Sequence, residues 1–233
     1  MRTTLLVLTW NEIDGMRAIM PRVRREWVDQ ILVVDNGSTD GTVEFALQQG
    51  YEICHQKKKG LRRAYEEAWP LVRGDVVIPF APDGSSLPDR IPLLIEKMRE
   101  GYDMVIVSRY RDDARSEDDN WLTAFGNWMF TALINVCFGA RYTDSLVMYR
   151  ALRKELAEQL QLFDEAAYQP MERILRTAPG FEVLLTVRAA KQQCKVTEIP
   201  GDEPKRIGGT QKMRPFRWGL FNLIQILREI GSH

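Results

Sequence analysis

Polar residues that can do chemistry follow one another at the ends of apolar runs in this chain. Asn11 and Glu12 come after the run ending at Leu8, Asp35 after Ile31 to Val34, and Gly60 after Tyr51 to Cys54. Asp83 lies beyond Asp75 to Ile78, in Pro79-Phe-Ala-Pro-Asp-Gly-Ser-Ser86, and Ser108-Arg109-Tyr110 follows Met104 to Val107. Any one of these residues on its own reads as a cap or a turn. If the runs are parallel strands, however, all of them converge on one crevice at the carboxyl edge of a sheet, where open α/β folds bind ligands. Carboxylates with almost no histidine suit a hard cation such as Mg²⁺ or Mn²⁺ held through oxygen. Such a cation bridges a protein carboxylate to a ligand phosphate.

The elements that must place these residues alternate. Ile31-Leu-Val-Val-Asp-Asn-Gly-Ser-Thr-Asp-Gly-Thr42 reads as a strand buried on both faces, then a tight turn at Gly37, then a helix capped by Ser38, Thr39 or Asp40. The same logic predicts strands at 4–8, 51–54, 75–78 and 104–107. Helices are predicted at 14–27 (with Pro21 inside), 39–49, 61–69 and 91–99. Alternation of this kind implies βαβ units and a mostly parallel sheet. Beyond Ser108 a charged loop, 111–120, precedes an uncharged stretch from Trp121 to Ala140. A strand is predicted at 142–149, helices from Ala151 and Tyr168, a last strand at 195–199, and an amphipathic helix at 216–230. No linker-like composition shift appears, so one domain is expected.

Composition closes off several function classes. The 233 residues carry 32 basic and 32 acidic side chains, so no global field favours nucleic acid. Three separated cysteines without a CxxC pair suggest neither a disulfide framework nor a zinc site, and fit reduced thiols in a cytoplasmic protein. GxGxxG, GxxxxGK[ST] and GxSxG are all absent. His55 and His233 are the only histidines, which leaves little room for histidine triads or metal clusters. The 121–140 stretch is about the length that spans a bilayer. Its Thr123, Asn127, Thr131 and Asn135 share one helical face, however, which favours a buried or membrane-facing helix over a spanning one.

The ordered blocks resemble the inverting family-2 glycosyltransferases of the GT-A fold, especially the polyprenyl-phosphate (dolichyl-phosphate) sugar synthases. The likeness runs from Leu8-Thr-Trp-Asn-Glu12 through Val34 to Thr42, Gly60-Leu-Arg-Arg-Ala-Tyr65, Pro82 to Asp89 and Ser108-Arg-Tyr110. It continues through Thr143-Asp-Ser-Leu-Val-Met-Tyr-Arg150 and Glu198-Ile-Pro to Arg206-Ile-Gly-Gly-Thr-Gln-Lys212. Each block is weak by itself; their order along nearly the whole chain is specific. The resemblance implies an α/β GT-A fold in one catalytic domain, with residues 1–110 binding a nucleotide sugar. Residues 111–233 would bind the acceptor and carry the C-terminal amphipathic helix. It implies that Thr9, Asn11, Glu12, Asp35 and Gly37 hold base and ribose, with Lys58 or Gly60 beside the base. Asp83 would hold Mg²⁺ or Mn²⁺ on the diphosphate. Arg206 and Lys212 would lie on a lid over the phosphates, with Gly208 and Gly209 giving it freedom, and Arg109 would approach an acceptor phosphate.

The implied reaction is in-line displacement of a nucleoside diphosphate from a hexose, GDP- or UDP-linked, by a polyprenyl phosphate. If the acceptor is a hydroxyl, a carboxylate must take its proton, and Asp144 is the candidate; it can equally be a turn residue. The family's paired aspartates at the metal site are reduced here to Ala81-Pro82-Asp83. Either Asp83 suffices, or metal binding is weak, or the chain binds nucleotide sugar without turnover. Localisation is expected in the cytoplasm, with peripheral contact at the cytoplasmic membrane face through the uncharged helix and the tail. The same surfaces can instead form a homo-oligomer interface.

Overall fold

The computed structural model describes residues 1–208 and 215–231; Gly209 and Lys212 of the expected lid lie outside them. Seven strands form one sheet: β1 (Thr3–Thr9), β2 (Gln30–Asp35), β3 (Glu52–His55), β4 (Val76–Phe80), β5 (Met104–Ser108), β6 (Arg150–Arg153) and β7 (Val196–Pro200). Their spatial order is β3-β2-β1-β4-β6-β5-β7. β6 runs antiparallel to both neighbours, and every other pairing is parallel. β2, β4 and β5 are buried along their whole length, as continuous apolar runs covered on both faces should be. Register sets the site: Thr9 lies opposite Asp35, Asp35 opposite His55, and Ser108 opposite Pro200, so the carboxyl ends share one edge.

Helices α1 (Ile13–Ile19), α2 (Thr42–Gln48), α3 (Leu61–Ala68) and α4 (Arg90–Arg99) follow the first four strands as expected. α1 is shorter than the predicted 14–27 helix. It gives way to 3₁₀ turns at Met20–Arg22 and Arg25–Trp27, since Pro21 removes an amide donor and starts a tighter turn. The second half contributes α5 (Trp121–Phe138), α6 (Lys154–Gln159), α7 (Met171–Leu175), α8 (Glu182–Lys191) and α9 (Pro215–Gly231).

The strand predicted at 142–149 does not form; the strand begins at Arg150. The backbone of that segment is satisfied by side chains instead of a ladder. Glu198 accepts the amides of Thr143 and Asp144, and Thr131 accepts that of Ser145 at 3.1 Å. Segments whose donors are served this way have no need of a neighbouring strand.

α5 is capped by Asn120, whose side chain accepts the Leu122 and Thr123 amides, and it ends at Gly139 with φ +67°. By length and composition α5 could cross a membrane. It packs instead on α8 and α9 with its polar stripe turned inward: Asn127 and Thr131 are buried, while Trp121 (81% exposed), Phe125 and Trp128 face out. α9 likewise turns polar groups inward, burying Gln225 and Glu229 beside Phe221 and Ile226, while it exposes Phe216, Leu220, Leu227 and Ile230.

A buried ion pair ties α3 to the segment around α7. Arg62, fully buried, donates Nε and Nη2 to the two oxygens of Glu172 at 2.7 and 2.8 Å, and its guanidinium lies 4.1 Å from the Tyr168 ring centroid. Hydrogen bonds from Arg63 hold the Glu165 carboxyl down to about 2, against an upward push from burial and with further help from Arg62. Glu172→Gln removes the bidentate buried partner of Arg62, leaving it Glu165 at 3.1 Å and Glu66 at 3.7 Å, and should lower stability by about 3 kcal/mol. For a chain of this size that is a loss of roughly 6–12 °C in melting temperature by calorimetry. A change below about 2 °C would contradict it. The Glu165 contribution is present above the usual carboxylate value of 4.5 and is lost as pH falls from there toward about 2. Glu165→Gln should therefore flatten the acid limb of the stability profile over that window.

Candidate active site

One end of the crevice is built from two βα turns bonded to each other. Asp35 Oδ2 accepts the amides of Gly37 and Ser38 at 2.9 Å each, and Thr9 donates its hydroxyl to Asp35 Oδ1 at 3.2 Å. This turn needs Gly37 at φ +76°. Asn11 donates its amide to Ser38 Oγ and accepts the Thr39 amide, both at 2.8 Å. Glu12 donates its amide to Thr42 Oγ1, and Ile13 donates to Asp40 Oδ2, at 3.0 Å each. Burial pushes the Asp40 carboxyl up, but bonds from Thr42 and Ile13 outweigh it and lower its pKa. Thr9, Asn11, Glu12, Asp35 and Gly37 thus form one connected wall. Lys58 is exposed on the loop after β3, beside β2, and Gly60 closes that loop against Ala178.

Asp83 joins the wall through α1. A Cβ at Gly15 would meet the Pro82 carbonyl oxygen at 2.4 Å, so the helix rests directly on the turn that carries Asp83. Asp83 Oδ1 accepts the Ser85 amide at 3.0 Å and its hydroxyl at 2.6 Å, and Oδ2 faces Arg206 Nη2 at 3.0 Å. Among the described residues no group of three or more His, Cys, Asp or Glu side chains is placed to hold a metal unaided. The oxygen donors that are present, one ionised carboxylate beside a hydroxyl, fit a hard cation that draws its remaining ligands from phosphate and water. The guanidinium already seated on Asp83 shows that this carboxylate takes a cationic partner.

The other half of the crevice centres on Arg109. It donates Nε and Nη2 to Asp144 at 2.7 and 3.0 Å and Nη1 to Glu203 at 3.0 Å, with Asp119 at 3.5 Å. Burial alone would lower the arginine's pKa; Asp144, Glu203 and Asp119 reverse this and raise it well above its ordinary value. Burial raises the Glu203 carboxyl despite Arg109. Asp144 is fully buried and committed to Arg109. Arg109 and Glu203 line two spaces at once. One is a small pocket shared with Ala81 and Ser85 of the Asp83 turn. The other is a groove of about 550 Å³ between α5, α8 and α9, lined mainly by apolar side chains such as Leu122, Phe130, Leu146, Val183 and Leu223.

Glu198, Glu203 and Ser85 were not singled out from the sequence. Glu198 and Glu203 sit in or beside β7, and only its pairing with β5 turns them toward Arg109 and the Asp144 loop.

Residues 4–161 match the family described as Glycosyl transferase family 2. The chain belongs to that family. An undecaprenyl-phosphate mannosyltransferase of Micrococcus luteus is 31% identical over 94% of this chain and 95% of its own length. A polyprenol monophosphomannose synthase of Mycolicibacterium smegmatis is 29% identical over 91% and 81%. Among solved structures, glucosyl-3-phosphoglycerate synthase of Mycobacterium tuberculosis with Mg²⁺ and UDP superimposes with a TM-score of 0.68 at 18% identity, over all of this chain and 80% of that one. That likeness establishes the shared GT-A fold. The family 2 glycosyltransferase is an enzyme of the dolichol-phosphate mannosyltransferase type.

Asp35→Ala frees the Gly37 and Ser38 amides and loosens the wall. Calorimetric titration with UDP and GDP should show at least a tenfold weaker Kd for whichever nucleotide binds wild type, about 1.4 kcal/mol. Equal affinities would detach this wall from nucleotide recognition.

Proposed function

We propose that this glycosyltransferase transfers a hexose from a GDP- or UDP-linked donor to a polyprenyl phosphate, inverting the anomeric centre. One observation carries the reading: Arg109 stands at the junction between the Asp83 turn and the apolar groove. An amphiphile with a phosphate head and an isoprenoid tail matches that junction, head on Arg109 and tail between α5 and α9. The names of the Micrococcus and Mycolicibacterium relatives support the same acceptor class. Residues 1–110 serve as the donor half and the remainder as the acceptor half.

Asp83 and Ser85 are the residues that would hold Mg²⁺ or Mn²⁺. When bound, the ion neutralises charge on the departing diphosphate. The chain's own groups do the rest. Thr9, Asn11, Glu12, Asp35 and Gly37 seat base and ribose, with Lys58 and Gly60 at the outer end. Arg206 faces the diphosphate, and Lys212, outside the described residues, is assigned the same partner. Arg109 orients the acceptor phosphate, its plane set by Asp144 and Glu203. A phosphate oxygen is already nucleophilic, so Asp144 acts here as a positioning residue rather than a base.

The inverted helices support contact with the cytoplasmic face of a membrane. Their outward faces present Trp121, Phe125, Trp128 and Phe216, and the exposed charges of α9 are Arg217 and Arg228. Glu229 is turned inward onto Arg188 at 2.9 Å. An aromatic and cationic surface suits an anionic bilayer interface. A homo-oligomer would cover the same face.

Wild type should glycosylate polyprenyl phosphate in vesicles with Mn²⁺ present. Leu146→Asp should cut lipid product at least tenfold while leaving nucleotide Kd unchanged. A water-soluble product in place of a lipid one would overturn the acceptor. Replacing Trp121, Phe125 and Trp128 together by Ser should abolish co-sedimentation with anionic vesicles. Unchanged co-sedimentation, or conversion of a wild-type dimer to a monomer in light scattering, would assign that face elsewhere.

A further inference from the structure

Arg206 and a divalent cation make the same demand on Asp83. Both need the ionised Oδ2, since Oδ1 is engaged by the amide and hydroxyl of Ser85. The Asp83 side chain is 7% exposed and Arg206 25%, so water screens the pair only partly. Position 81, one residue before Pro82, is alanine, so no second carboxylate stands there to take a second cation. One guanidinium therefore neutralises the site one for one.

The segment is seated on the turn by its backbone and by packing as well. Ile207 donates its amide to the Asp83 carbonyl at 2.5 Å. Its side chain lies against Gly84, which has φ +92° and where a Cβ would come within 3.0 Å of Ile207 Cγ1. Arg206 also has a more distant anion in reach, Asp118 at 3.7 Å. A divalent ion on the same oxygen would lie close to the guanidinium in a partly screened site, and the two cations would repel each other. A diphosphate changes that balance, because it supplies enough negative charge for both cations at once.

We propose that Arg206 is the resident counter-cation of Asp83 and excludes free divalent metal from the donor site. The nucleoside diphosphate and its metal then enter together, and the phosphates draw Arg206 off Asp83 onto themselves. This rests on the reading of Asp83 as the metal carboxylate. It adds an order of binding to that reading, and a role for Arg206 before any sugar is transferred. It also gives Ala81 a consequence: with a single carboxylate, an arginine side chain is a sufficient competitor.

The test is Mn²⁺ titration followed by electron paramagnetic resonance, on the full chain, with and without UDP or GDP. Arg206→Gln should bind free Mn²⁺ at least fivefold more tightly than wild type, yet bind the Mn²⁺–nucleotide complex at least threefold more weakly. A merely structural role for Arg206 would weaken both, so these opposite signs are the signature. Ala81→Asp should raise affinity for free Mn²⁺ with Arg206 in place and shrink the effect of Arg206→Gln. Equal free-Mn²⁺ affinities in wild type and Arg206→Gln, with binding still lost in Asp83→Asn, would overturn this proposal alone. Failure of every variant to bind Mn²⁺ with nucleotide would remove the metal reading of Asp83 and this proposal with it.

Discussion

The crevice around Arg109 depends on a chain of buried carboxylates that must each find partners. Glu198, at 7% exposure, accepts the Thr143 and Asp144 amides and the Thr143 hydroxyl. Asp144, fully buried, then holds Arg109, and Arg109 reaches Glu203. A buried charge without a partner is strongly unfavourable, so removing any link leaves its neighbours exposed to that penalty. The chain joins β5, β7 and the loop before β6, segments far apart in the sequence. It explains why residues 142–149 are irregular and yet ordered: their donors are satisfied from the side.

The same loop explains the inverted helices. Thr131 Oγ1 meets Ser145 Oγ at 2.8 Å, and Asn135 bonds both the amide and the carbonyl of Tyr142. Thr131 and Asn135 of the α5 polar stripe are therefore consumed by an interior loop, while Trp121, Phe125 and Trp128 of that helix face outward. In α9, Glu229 is drawn inward by Arg188 with the same result. Two helices that bury polar groups and display tryptophan, phenylalanine and leucine frame the groove, so a route for an apolar tail lies next to a surface suited to lipid.

Charge also links the two halves. The acidic loop before α5 places Asp118 beside Arg206 and Asp119 beside Arg109. The arginine over the donor turn and the arginine at the groove are thus held by adjacent residues of one segment. A phosphate at either arginine would compete with carboxylates of that loop, which gives the two proposed substrate sites a shared electrostatic neighbour.

Much of the donor half was legible in the sequence, because its determinants are local. Continuous apolar runs specify buried strands, and the Asp35-to-Thr42 turn carries its own glycine, although α2 starts from Gly41 at φ +96° without a side-chain cap rather than from Ser38, Thr39 or Asp40. Parallel pairing then brings Thr9, Asn11, Asp35 and Asp83 to one edge with no further information. The acceptor half was not legible in this way. Whether 142–149 pairs as a strand, which way the α5 stripe faces, and whether Asp144 is free to act as a base all depend on Glu198 and Thr131. Their hydrogen bonds to that loop cross 54 and 55 residues in one case and 14 in the other. Local pattern reads propensity and periodicity. Only the folded chain decides which buried charge meets which partner, since that pairing is set by long-range packing and by the energy of leaving a charge alone.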